Sequence, residues 1–143
     1  VLLILLGGCA DDGPAEMRYG EDQCAYCRMN VADAAFGTQL VTGKGKVFRF
    51  DSIECLAAFE MTNPDDQNET RRWLADLNRP GTFLSLDEAF IVHGRELRSP
   101  MGLGLAATAS TEAGRRLAAK TKGDILSWNE VLTYVAEAWD VDR

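Results

Sequence analysis

Residues 36–61 read FGTQLVTGKGKVFRFDSIECLAAFEM, and the change of residue pattern inside this stretch decides the fold. Residues 36–42 are β-branched and alternating in character, as in a half-buried strand. Gly43-Lys44-Gly45-Lys46 interrupts them with turn chemistry, and Val47-Phe48-Arg49-Phe50 resumes an extended pattern, so the two runs predict a hairpin. Asp51-Ser52 then offers side-chain oxygens to orphan helix N–H groups, which predicts a helix over residues 53–61 that Asn63-Pro64 stops.

Outward from that core, the polar insert over residues 64–78 predicts a short helix around Trp73, Leu74 and Leu77, ended by Pro80-Gly81. Residues 83–86 and 89–92 are strand candidates, and residues 104–109 read as a further extended piece. Thr111 is expected to cap a helix running to about Lys122 with Gly123 ending it, after which Ile125-Leu126 makes a short strand. Ser127-Trp128-Asn129-Glu130 is a capping box for a last helix over residues 128–138, which places Val131, Leu132, Val135 and Trp139 on one stripe. Strands and helices alternate in a pattern that occurs twice, and the expected class is a small α+β domain.

The chain has 143 residues, enough for one domain or two small ones. With 46% hydrophobic and 26% charged residues it can bury a core, which excludes global disorder. Its 22 acidic against 15 basic residues give a net charge of -7, which repels phosphate backbones and sets nucleic-acid binding aside.

The opening VLLILLGGC, residues 1–9, is too short to span a bilayer and reads as the apolar region of a secretory signal. Leu6-Gly7-Gly8-Cys9 resembles a bacterial lipobox, so Cys9 is expected to be acylated and to become the first mature residue. Residues 1–8 are then a signal remnant and 9–23 a lipidated terminus and tether, with the folded domain over 24–143. This places the chain on the periplasmic side of a bacterial membrane, and Ala10 after the cysteine favours the outer one.

Cys24-Ala25-Tyr26-Cys27-Arg28-Met29 carries the chemistry. Two thiols three residues apart converge across a turn, and residues two apart in an extended chain share a side, which would put Met29 beside Cys27. Thiolate and thioether sulfurs are soft donors that select Cu(I), and a thioether argues against zinc. Cys55 lies within an apolar helix and is read first as a core residue, while His93 is the sole imidazole available to a site. Met101 in Ser99-Pro100-Met101-Gly102 is presented by a restricted loop.

The lipobox cysteine, Cys24-x-x-Cys27-x-Met29, Phe50-Asp51-Ser52-Ile53-x-Cys55, Ser99-Pro100-Met101-Gly102 and Gly123-Asp124-Ile125-Leu126-Ser127-Trp128 occur in series along nearly the whole chain. Together they resemble the NosL family, the copper-binding accessory lipoproteins of nitrous oxide reductase. The resemblance implies a Cu(I) chaperone without catalysis, built from two small ββαβ units. It would deliver copper toward nitrous oxide reductase with a membrane ABC-type maturation complex as partner. Carried over, Cys27 and Met29 match the core ligand pair and Met101 a further sulfur donor, leaving the third ligand open among Met101, His93 and Cys24. This chain departs from the family pattern in having Thr108 after Ala107, near packing positions.

Two other classes compete. A thiol-disulfide oxidoreductase would use Cys24 and Cys27, but the preceding residues 18–23 are polar and turn-like where such enzymes have a buried strand. A structural zinc protein would use Cys24, Cys27, Cys55 and His93, the right ligand count for a closed site.

Overall fold

The computed structural model describes residues 13–64 and 69–142. The apolar opening and Cys9 lie outside the described residues. None of the described helices is long and apolar enough to cross a membrane.

The hairpin and helix expected from residues 36–61 are present, and a strand follows that was not expected. β1 (Thr38–Val41) pairs antiparallel with β2 (Val47–Phe50), α1 (Ile53–Thr62) follows, and β3 (Arg71–Ala75) returns to the free edge of β1. β4 (Phe83–Ser85) extends this sheet, giving the order β2-β1-β3-β4. The same path recurs in the second half. β5 (Phe90–Gly94) pairs with β6 (Leu105–Thr108), α2 (Thr111–Thr121) follows, and β7 (Gly123–Leu126) returns to the other edge of β5, in the order β6-β5-β7. Each half is a ββαβ unit with its first strand in the centre, and α3 (Trp128–Trp139) is appended to the second. The fold is a small α+β domain. The units are joined where Asp76, just after β3, bridges to Ala107 of β6, with the Leu77 N–H donating to the Ala107 carbonyl at 2.9 Å.

α1 lies at the centre of the molecule. It packs on β1, β2, β6 and α3, and buries Leu56, Ala57 and Ala58 together with Cys55. Surrounded in this way, it also buries two acidic residues, whose carboxylates need partners. Glu60 takes Arg72 of β3 in a two-pronged pair at 2.7 and 2.6 Å and receives the indole N–H of Trp128 at 3.4 Å. Glu54 receives the Ser99 hydroxyl and the Leu103 N–H, the latter at 3.3 Å. The loop of residues 99–104 is thereby clamped to the first turn of α1, and Tyr134 of α3 donates to the Leu103 carbonyl at 3.1 Å.

Three local expectations are corrected. The segment around Trp73, Leu74 and Leu77 is not a helix: Arg71–Ala75 is a strand with Leu74 wholly buried, because pairing to both β1 and β4 outweighs the weak helical spacing. The cap of α2 is Ser110 and not Thr111, its hydroxyl accepting the Ala113 N–H at 3.1 Å. Gly123 does not terminate that helix either. Lys122 takes the left-handed conformation, and Gly123 opens β7, where a side chain would collide with the His93 carbonyl.

Toward the N-terminus the chain is tied to the sheet from Ala15, whose N–H and carbonyl bond the Gln39 side chain at 2.9 and 2.7 Å. Met17 enters the core, and Arg18 and Arg49 hold the buried Asp22 carboxylate at 2.9 and 3.2 Å.

Candidate metal centre

The site forms where the segment of residues 24–29 meets the start of α1. That segment folds as a turn and not as an extended chain. The Arg28 N–H donates to the Cys24 carbonyl at 3.1 Å, the Cys24 N–H to the Met29 carbonyl at 2.8 Å, and Arg28 adopts a left-handed φ of 69°. The alternation that would have aligned Cys27 with Met29 is therefore absent. The Ala25 N–H donates to the Arg49 carbonyl at 2.8 Å, docking the turn on β2, and the Tyr26 ring stacks on Trp139 at the end of α3.

β2 ends by delivering Phe50 into the core, Asp51 follows it directly, and the Ser52 hydroxyl caps α1 by accepting the Cys55 N–H at 3.2 Å. Asp51 and Cys55 are thus fixed on either side of a helix cap. Their ligand atoms and those of Cys24 and Cys27 all lie within 4.8 Å of one another. Cys24, Cys27 and Cys55 are free thiols. Cys24 and Cys55 are fully buried and Asp51 nearly so, while Cys27 is half-buried and reaches toward the surface. The Cys27 sulfur is 3.4 Å from Asp51 Oδ2, whereas Asp51 Oδ1 is buried with no hydrogen-bond partner among the described residues.

The three thiols are electrostatically distinct. A hydrogen bond from Cys55, with the backbone N–H groups of Cys27, Asp51 and Tyr26, outweighs burial and lowers the Cys24 thiol to about 6. Burial, together with the hydrogen bond and charge of Cys24, raises Cys27 to about 11. Cys55 is raised further, chiefly by its hydrogen bond to Cys24 and by burial. The surroundings thus favour the charged form of Cys24 and the neutral forms of Cys27 and Cys55, and an arriving cation would displace the protons that remain.

The other candidates sit apart from this group or on its margins. Met29 is 51% exposed, its backbone held by Cys24 and its thioether open to solvent. Met101 lies in the loop clamped to Glu54, the neighbour of Cys55, and packs in part against the core. His93, on β5, packs against the Tyr134 ring at 4.5 Å and does not join the cluster; Asp51 stands there in place of the imidazole expected for a zinc site. Asp51 was not singled out from the sequence, while Cys55 is a core residue as expected and also joins the group. The signal available was their spacing: four positions across a helix cap bring a preceding carboxylate and a first-turn side chain onto one side.

The comparisons with known proteins agree with this architecture. A solved structure, the copper chaperone NosL from Shewanella denitrificans, superposes with a TM-score of 0.69 at 18% sequence identity, covering 82% of this chain and 94% of that one. No curated protein matches the chain at a significant level. The NosL family model matches residues 15–136, from the strand-docked N-terminal segment into the last helix and across every element of the site. This chain therefore belongs to the NosL family.

Proposed function

We propose that the protein is a Cu(I)-binding metallochaperone, held by acylated Cys9 at the periplasmic side of a bacterial membrane, that delivers copper for assembly of nitrous oxide reductase through a membrane ABC-type maturation complex. Family membership supports this reading, and the similar solved structure is described as a copper chaperone. The observation that carries it is the convergence of three free thiols, one of them half-exposed and followed two residues on by an exposed thioether. Sulfur donors of this kind select Cu(I) over hard cations.

Copper is cargo here. Cys27 and Met29 hold it at the surface, with Met101 as the further sulfur donor that the family resemblance implies. Because Met29 is open to solvent, an acceptor's ligand can attack the ion before the donor's ligands leave, so that no free ion is released. The net charge of -7 favours a cationic cargo. Anaerobic competition against a Cu(I) chelator tests the assignment. Cys27→Ser is expected to weaken retention and Met29→Ala to slow transfer to a competing ligand, and unchanged behaviour of both refutes it.

One observation favours the oxidoreductase alternative, the lowered thiol of Cys24. Its side chain is fully buried on a turn, however, so it presents no sulfur to a protein disulfide.

A further inference from the structure

Two members of the thiol cluster have no part in the surface pair of Cys27 and Met29. Cys24 and Cys55 are wholly buried, yet their sulfurs lie within 4.8 Å of the Cys27 sulfur and the Asp51 carboxylate. If this were only core packing, the carboxylate would be out of place. Asp51 is 3% exposed, and its Oδ1 is buried with no hydrogen-bond partner among the described residues. A carboxylate oxygen left in that state is unfavourable unless positive charge is brought to it. Meanwhile the neighbouring backbone N–H of Cys27 points at the Cys24 sulfur at 3.4 Å, an arrangement that favours a thiolate. Two buried sulfurs, a third at the surface and an unsatisfied carboxylate oxygen together make a donor set suited to a soft cation.

We infer that Cys24, Cys27 and Cys55 form an inner Cu(I) position beside the Asp51 carboxylate, and that Cys27 belongs to both this position and the outer one with Met29. The inference rests on the copper reading above and adds a second location for the ion. In passing inward, the ion keeps its bond to the Cys27 sulfur, loses its bond to the Met29 thioether and gains bonds to the Cys24 and Cys55 sulfurs. A thiol proton leaves to solvent for each thiol that becomes a ligand, and copper stays Cu(I) throughout. The inner position holds the ion away from solvent, oxidant and competing thiols, and the outer one presents it to an acceptor. Two buried thiolates replace one thioether, so the inner position is the tighter. Asp51 balances the cation without acting as a soft donor.

Two measurements on the reduced protein under anaerobic conditions test this. Titration of the wild type with Cd(II), a soft cation whose sulfur-to-metal absorption grows with each thiolate bound, is expected to give the amplitude of three thiolates. Cys24→Ser and Cys55→Ser should each lose about one third of it. Competition of Cu(I) against a chelator is expected to show the double variant Cys24→Ser/Cys55→Ser weakened at least about tenfold, or about 1.4 kcal/mol. A one-thiolate Cd(II) band in the wild type overturns the inference, and so does Cu(I) retention at the wild-type level in the double variant. Should the buried substitutions prevent folding, the wild-type Cd(II) band alone decides. Failure of the copper reading looks different, since the wild type would then retain no Cu(I) against the chelator at all.

Discussion

Ser52 offers a test of how the site is held. Its hydroxyl accepts the N–H of Cys55 at 3.2 Å from a position with no solvent exposure, while its carbonyl accepts the Thr38 hydroxyl at 3.0 Å. The same hydroxyl is among the groups that favour the charged form of buried Glu54. In Ser52→Ala the capping bond is lost, about 1 kcal/mol. Water cannot reach the vacated N–H, so an unsatisfied buried donor adds about 1–2 kcal/mol. The total is about 2–3 kcal/mol. Ser110 makes the same bond to Ala113 at 3.1 Å but is exposed, so water replaces the hydroxyl and Ser110→Ala should cost about 0.5–1 kcal/mol. At about 3 °C per kcal/mol for a chain of this size, the melting temperatures should fall by about 6–9 °C and about 2–3 °C. Urea denaturation of both variants in reductant, at one pH, measures the difference directly. Equal losses, or a loss below about 1 kcal/mol at Ser52, would refute the claim that burial makes the first turn of α1 depend on its cap.

The pH dependence of the metal-free, reduced protein has a defined sign. Cys24 is depressed to about 6 from an ordinary 9.0, so its contribution is complete above 9.0 and lost as pH falls through about 6. Cys27, raised to about 11, and Cys55, raised further, keep their protons when the unfolded thiols ionise, so stability falls again above 9.0. Urea midpoints across this range should pass through a maximum, and a flat profile would contradict the thiol assignments. At Gly123 an added Cβ would lie 1.8 Å from the His93 carbonyl oxygen and 2.7 Å from the Gly94 Cα, so Gly123→Ala must pry β7 from β5 at a cost of at least about 3 kcal/mol. Gly81, with φ +86° and open space around it, should lose only about 1–2 kcal/mol on the same change, and a melting comparison separates the two.

Much of the fold was legible because local rules and tertiary packing agree there. The 36–61 stretch forms the hairpin and helix its pattern announces, and Ser127 with Glu130 makes the capping box read from the sequence. β3 was not legible. Its residues carry two arginines among apolar ones, and only the pairing of Leu74 and Trp73 with β1 and β4, with Arg72 reaching Glu60, makes a strand of them. The end of α2 was misread for a related reason, since Gly123 is required by the approach of the His93 carbonyl across the sheet and not by the helix that precedes it.

By itself, the sequence determined the residue types available, soft sulfur donors in an acidic chain, and the strand-turn-strand-helix order of residues 36–61, because both follow from local chemistry and periodicity. Only the tertiary structure decided which donors meet. A positive φ at Arg28 turns the Cys24–Met29 segment back on itself and leaves the thioether exposed, while β2 and the α1 cap carry Asp51 and Cys55 to Cys24 across more than 25 residues of chain. That convergence is set by the packing of a buried helix against a sheet, which no local spacing encodes.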